Sequence, residues 1–231
     1  MIQNYNDLEK ILNLKFPNTT NLETALTHRS FLNETTDQNK KSNERMEFLG
    51  DSVLQFLTSK YLYNKYPNDP EGVLTSFRAA TVNTISLSNE ALRLNLGNFL
   101  FMSKGEESTG GRTRPYIMAN SFEALLGCIY LEFGIGTCED FLNRELFYKI
   151  DKIVTKKEYQ DPKSSLQEIT QEKFNITPTY KVLSEEGPDH NKNFTAGVFL
   201  ETKKLAEGSG SSKKKAEENA AKKALEDLTS K

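Results

Sequence analysis

The sequence predicts a two-domain chain: an all-α domain over residues 1–156 and a small α+β unit, of order α-β-β-β-α, over residues 161–229. Three observations carry this. Apolar residues recur at helical spacing through the first part of the chain, with no strand-like alternation. A short polar stretch, Lys156-Lys157-Glu158-Tyr159-Gln160, then interrupts the pattern. Beyond it, three alternating segments rich in β-formers lie between two helical ones. No internal repeat is visible.

The elements follow in order. Leu8, Ile11 and Leu12, then Leu22, Ala25 and Leu26, mark two short helices. A long helix over 44–66 ends before Pro67, and another spans about 70–95, with Leu96-Gly97 as its stop. Ser103 to Arg112 reads as a polar, glycine-bearing loop. Pro115 suits the first turn of a helix over 115–133, and a last helix covers 137–154. In the second unit, Asp161-Pro162 supplies an N-cap and a first-turn proline for a helix to Phe174. Strands are expected at Thr179–Glu186, Phe194–Thr202 and Lys204–Ser209. Ser211–Leu228 closes the chain, with Ala216, Ala220, Ala221, Ala224, Leu225 and Leu228 on one stripe.

The 231 residues are 36% hydrophobic and 27% charged, a globular composition with enough apolar material for a core. No apolar run approaches a membrane span, and Met1 to Asp7 lacks the regions of a signal peptide, so cytoplasmic residence without membrane attachment is expected. Cys128 and Cys138 are too few for a disulfide framework or a cysteine-built zinc site. The net charge of −2 argues weakly against a simple coat for nucleic acid. Residues 203–223, however, hold seven lysines against three glutamates, and this local cluster is more informative than the mean.

The most telling stretch is Asn43-Glu44-Arg45-Met46-Glu47-Phe48-Leu49-Gly50-Asp51-Ser52-Val53-Leu54. Glu44, Glu47 and Asp51, at i, i+3 and i+7, share one helix face. A row of like charges on a largely buried helix is costly unless a positive charge offsets it. A hard divalent cation, which takes oxygen ligands, is the simplest remedy. Asn120 and Glu123, at i and i+3 on the apolar helix that begins at Pro115, could face it from a second helix. With no histidine or cysteine nearby in sequence, magnesium or manganese is favoured over zinc. On spacing alone an equal alternative stands: Glu44 and Glu47 are solvated, or pair with Arg45, Arg78 or Arg93. His28 reads as a buried structural histidine, Phe122, Tyr130, Phe133 and Phe141 as core, and Cys128 as packing.

These stretches resemble the bacterial ribonuclease III family. The acidic stretch is similar to its signature, with methionine where leucine is usual. Ala25-Leu26-Thr27-His28-Arg29-Ser30-Phe31, the loop around Lys104-Gly105-Glu106, and Ala119-Asn120-Ser121-Phe122-Glu123-Ala124 follow in the family's order. The C-terminal unit resembles a double-stranded RNA-binding domain, a module that reads A-form duplexes by shape. The resemblance implies an endonuclease that cleaves double-stranded RNA to 5′-phosphate and 3′-hydroxyl ends, acts as a homodimer with Mg²⁺ (or Mn²⁺), and processes ribosomal and messenger RNA precursors. It implies Glu47, Asp51 and Glu123 as metal ligands, with Asp51 and Glu123 at the reacting centre. Glu44 falls at an edge tied to dimer and RNA contacts, and Phe48 at a position that packs into the partner subunit. Asn120 stands where the family usually has aspartate; its amide oxygen could still meet the metal, without charge. A competing reading follows from this departure, a dimeric duplex binder too weak in metal affinity to cut. For RNA binding the resemblance points to Gln167 and Glu168, to His190 in the strand loop, and to Lys213, Lys214 and Lys215. Those lysines also combine clustered charge with a positive helix end.

Overall fold

A computed structural model describes residues 5–157, 159–188 and 192–229. Its contacts divide the chain into two compact units, with the boundary between Tyr159 and Gln160.

In the first unit the helices are Tyr5–Leu12 (α1), Thr19–Ala25 (α2), Glu44–Lys65 (α3), Glu71–Thr81 (α4), Thr84–Arg93 (α5), Lys104–Ser108 (α6), Pro115–Glu145 (α7) and Ile150–Thr155 (α8). Short 3₁₀ turns stand at Arg29–Asn33, Leu96–Phe99, Gly111–Thr113 and Phe147–Lys149. The core forms where α3, α5 and α7 pack, around Leu54, Leu57, Leu87, Phe122, Leu125 and Phe141.

The expected single helix over 70–95 is two helices. Asn83 takes an extended conformation and its side chain accepts from the Ser86 amide at 2.9 Å, so it restarts the chain as α5. The segment 103–112, expected as a loop, contains α6, whose N-cap Ser103 accepts from the Glu106 amide at 3.1 Å. The two helices expected at 115–133 and 137–154 run together as α7, broken at Gly134 (φ 80°, ψ −178°), a left-handed backbone that glycine adopts without penalty. The second part stops at Glu145. Helix α7 also departs from the expectation of no membrane-length apolar run. It reaches a mean hydropathy of 1.2 over an 18-residue window, half of which is buried inside the unit. Ile117, Met118, Phe122, Leu125, Leu126 and Ile129 face the core. Of the four aromatics assigned to the core, Tyr130 departs and stands 37% exposed. Both cysteines are buried and free, and burial pushes their thiols up to about 12.

A buried ion network secures the far end of this unit. Glu90 accepts from Arg93 at 2.7 Å, Lys149 at 2.9 Å and Tyr148 at 3.0 Å, while Arg93 also reaches Glu145. Burial works against the Glu90 charge, yet the hydrogen bonds from Arg93 and Lys149 outweigh it and hold the carboxyl below its usual range.

Helices α3 and α7 approach closely where they cross. A Cβ built on Gly50 would lie 1.8 Å from the Glu123 carbonyl oxygen, and one on Gly127 would lie 2.3 Å from that of Met46. Backbone meets backbone there because neither position has a side chain.

In the second unit, Pro162–Phe174 (α9) and Lys213–Thr229 (α10) cover one face of an antiparallel sheet of Thr179–Glu186 (β1), Asn193–Leu200 (β2) and Lys203–Gly210 (β3), in order β1-β2-β3. Leu166, Val198, Ala220, Ala221 and Ala224 form its core. Asp161 caps α9 as expected, accepting from the Lys163 amide at 3.3 Å. Glu201, at φ 51°, turns β2 into β3, and a register shift follows Val198.

Replacing Gly50 by alanine should therefore destabilise the first unit by about 3 kcal/mol or more, since a methyl there forces the helices apart. Chemical denaturation followed by circular dichroism measures this; a loss below about 1 kcal/mol would contradict the close crossing.

Candidate active site

The crossing places two rows of oxygen-bearing side chains against each other. Helix α3 carries Glu44, Glu47 and Asp51 on one face, starting at its first turn. Helix α7 carries Asn120 and Glu123, and the Glu123 carbonyl is the atom that Gly50 accommodates. Glu47, Asp51, Asn120 and Glu123 are each half-buried, whereas Glu44 is exposed.

The electrostatics show that the carboxylates sense one another. Burial, then the charges of Asp51 and Glu47, push the Glu123 carboxyl up to about 7. Burial and the Glu44 charge raise Glu47, while a hydrogen bond from the Asn120 amide and the charge of Arg29 pull it back. The Gln55 amide donates to Asp51 Oδ1 at 3.2 Å. Two half-buried carboxyls, Glu47 and Glu123, whose charge is disfavoured in this way suit a divalent cation, and an all-oxygen donor set suits magnesium or manganese. Among the described residues, no three His, Cys, Asp or Glu side chains stand close enough to close on one ion as placed.

Several expectations are corrected by these surroundings. Glu44 pairs with none of Arg45, Arg78 or Arg93. It lies 3.8 Å from Arg29 and accepts from Ser42 Oγ at 2.7 Å. Arg78 instead donates to Ser59 at 2.8 Å, and Arg93 belongs to the Glu90 network. Asn120 lies on the cavity wall with Glu47, and its side chain works against the rise in the Glu47 carboxyl. His28 is half-buried and caps the Arg29–Asn33 turn, with Nδ1 2.8 Å from Ser30 Oγ.

A cavity of about 320 Å³ opens beside Glu47 and Asn120, lined also by His28, Arg29, Glu44 and Tyr116. Sequence reasoning passed over Arg29, Tyr116 and Gln55. Spacing alone could have found two of them: Gln55 is four residues past Asp51, and Tyr116 four before Asn120. Only the fold brings Arg29 here.

On the outer side of α3, Phe48 is 78% exposed and borders a groove of about 980 Å³ lined by Glu23, Lys40, Met46, Leu49 and Leu131 among others.

In the second unit, Gln167 and Glu168 are exposed on α9. Ser212 Oγ accepts from the Lys215 amide at 3.2 Å, so Lys213, Lys214 and Lys215 form the first turn of α10. Lys213 pairs with Glu185 at 2.9 Å and lies 5.7 Å from the Phe194 ring, and Lys215 pairs with Glu218 at 3.2 Å. His190 lies outside the described residues.

Comparison with known proteins bears on both units. Residues 18–150 match the Ribonuclease-III-like family model, and residues 162–228 match the double-stranded RNA binding motif. The protein named Ribonuclease 3 from Dehalococcoides mccartyi is 44% identical over 220 residues, covering 95% of this chain and 93% of that protein. Its namesake from Desulforamulus reducens is 45% identical over 223 residues, with coverage of 96% and 91%. Among solved structures, the nuclease domain of ribonuclease III from Campylobacter jejuni aligns with a TM-score of 0.58 and 39% identity. The alignment covers 63% of this chain and 97% of that one, a structure described for flexibility in its region of dimer formation.

The raised Glu123 carboxyl has a consequence for stability. Between its ordinary value of 4.5 and about 7, the folded protein holds a proton that the unfolded chain has released. Metal-free protein should thus lose stability as pH rises through that window. Glu123→Gln should flatten the decline and melt above the parent at pH 8, while added Mg²⁺ should raise the parent's Tm more than the variant's. Melting curves from pH 4 to 8 that superimpose for the two proteins would refute this.

Proposed function

The chain belongs to the ribonuclease III family, and from that premise we propose a divalent-metal-dependent endoribonuclease that works as a homodimer on double-stranded RNA. The family and the RNA-binding motif make the chain a ribonuclease III-type endonuclease directed at duplex RNA. The finer statements that follow are our reading: Mg²⁺, or Mn²⁺ in its place, as the metal; 5′-phosphate and 3′-hydroxyl product ends; and ribosomal and messenger RNA precursors as substrates.

The observation that supports this reading best is the coupled carboxylate cluster at the α3–α7 crossing. Glu47, Asp51 and Glu123 would hold the cation. When bound, a divalent cation activates water at neutral pH and offsets the charge that develops in phosphoryl transfer. Gln55 orients Asp51 by occupying Oδ1. Asn120, beside Glu47, would complete the shell with its neutral amide oxygen, an uncharged substitute for the family's aspartate. Asn120 thus adds no fourth negative charge to three carboxylates already in repulsion. The alternative, a duplex binder disabled by Asn120, gains no support from relatives that are named as ribonucleases.

Phe48 supports the dimer. A phenylalanine 78% exposed on a helix is poorly placed in a monomer, and the adjoining groove gives a second copy a recess to fill. Glu44, at the same end of α3, would then lie near the subunit edge.

In the second unit, Gln167 and Glu168 on α9, His190, and the start of α10 would meet successive features of an A-form duplex. Binding must draw Lys213 away from Glu185 and Lys215 from Glu218, so part of the phosphate attraction is spent on breaking those pairs.

Incubation of the chain with duplex RNA and Mg²⁺, followed on a denaturing gel, should give cleavage with 5′-phosphate ends. Intact RNA at concentrations that shift its mobility would sink the nuclease reading. Asn120→Asp should change the Mg²⁺ concentration needed for half-maximal cleavage by about threefold or more; an unchanged titration would show that the position contributes nothing to metal use. Replacing Lys213, Lys214 and Lys215 together by alanine should weaken duplex binding and reduce the magnitude of the slope of log K against log salt by about two to three. An unaltered slope would return these lysines to the solvated surface.

A further inference from the structure

We propose that the cavity beside Glu47 is a substrate subsite, in which Arg29 and Tyr116 hold the phosphate and ribose next to the scissile phosphate of the duplex. This rests on the endonuclease reading above and extends it by one nucleotide along the strand.

Geometry comes first. Tyr116, Asn120 and Glu123 occupy i, i+4 and i+7 on α7, alongside Glu44, Glu47 and Asp51 at i, i+3 and i+7 on α3. The two rows run together from the carboxylate cluster into the cavity, which Glu44 and Tyr116 flank one helical turn away. A turn of about 5.4 Å is comparable with the step between neighbouring nucleotides of a strand.

Charge comes next. Glu44 and Glu47 line the cavity and would repel a phosphate, so a substrate strand entering there needs a counter-charge. Arg29 is the cation that lines it. Its pairing with Glu44 is weak, at 3.8 Å with side chains 71% and 56% exposed, and contributes little to folding. The guanidinium is therefore free to exchange that partner for a phosphate, where its planar fork fits. The turn beneath it is rigid: His28 donates its backbone amide to Phe101 at 2.9 Å, Ser30 Oγ accepts from the Ser103 amide at 3.0 Å, and the Phe31 and Phe101 rings lie 5.5 Å apart.

Tyr116 is likewise held in place while 48% exposed. Arg114 donates to its hydroxyl at 3.3 Å and stacks 5.8 Å from its ring, and is itself fixed by Glu106 and by Thr109 at 2.9 Å. An exposed ring braced from behind presents a flat apolar wall, suited to packing against a ribose. Neither residue has a comparable structural duty: the cap belongs to His28 and the core contact to Ile117.

The test uses the full chain and a hairpin RNA with one cleavage site, made with either a normal phosphate or a neutral methylphosphonate at the linkage next to the cut. Arg29→Ala should raise KM about tenfold with kcat within about twofold and the Tm unchanged, and Arg29→Lys should recover part of the loss. The methylphosphonate should weaken the parent but not Arg29→Ala, and Tyr116→Ala should raise KM on both substrates. An unchanged KM for Arg29→Ala, or full sensitivity of that variant to the neutral linkage, would overturn the subsite. If the unaltered chain fails to cleave, the endonuclease reading falls instead, and the subsite is judged from gel-shift Kd values of the same proteins and RNAs by the same pattern.

Discussion

Everything in the first unit that bears on chemistry depends on how closely α3 and α7 approach. Gly50 faces the Glu123 carbonyl and Gly127 faces the Met46 carbonyl, so each helix leaves out the side chain that would strike the other's backbone. Asp51 adjoins one of these glycines and Glu47 lies one turn before it, while Glu123 is itself a point of contact. The same approach that lets the helices pack thereby fixes the separation of the carboxylates. A methyl group at either glycine would act on the fold and on the acidic cluster together.

That packing sets up an electrostatic conflict. Desolvation and mutual repulsion raise Glu123 to about 7 and also raise Glu47, a cost to the folded chain that a cation bound there would relieve. The polar neighbours restrain the conflict without removing it: Gln55 holds Asp51, and Asn120 acts on Glu47. The stabilisation comes from elsewhere. The Glu90 network is more deeply buried, but its carboxylates have arginine and lysine partners at hydrogen-bond distance, and Glu90 lies below its usual range. One unit thus contains two acidic clusters of opposite character, one buried and satisfied, the other half-buried and open.

Much of the fold was legible because its signals are local. Helical periodicity, Pro115 at a first turn, and the Asp161-Pro162 cap depend on neighbours within one turn, and each marks its helix. The polar linker and the change to alternation separated the α-β-β-β-α unit for the same reason. The departures also have local causes on a finer scale. Asn83 divides the helix expected over 70–95 because its side chain competes for the backbone, and Ser103 begins a short helix inside a segment that composition marks as loop. Within the site, i, i+3 and i+7 spacing was sufficient to group Glu44, Glu47 and Asp51, and could have reached Gln55 and Tyr116.

By itself, then, the sequence determined which residues share a face, where the helices begin, and that an unpaired acidic row on an apolar helix calls for a positive partner. Tertiary structure decided which faces meet. Arg29, distant from α7 in sequence, became the neighbour of Glu44 in place of Arg45, Arg78 or Arg93, and Asn120 was directed to Glu47. Spacing along a helix specifies a direction around one axis only. Distance between side chains on two helices is set by their crossing, and here that crossing rests on two glycines whose importance appears only when the helices are in contact.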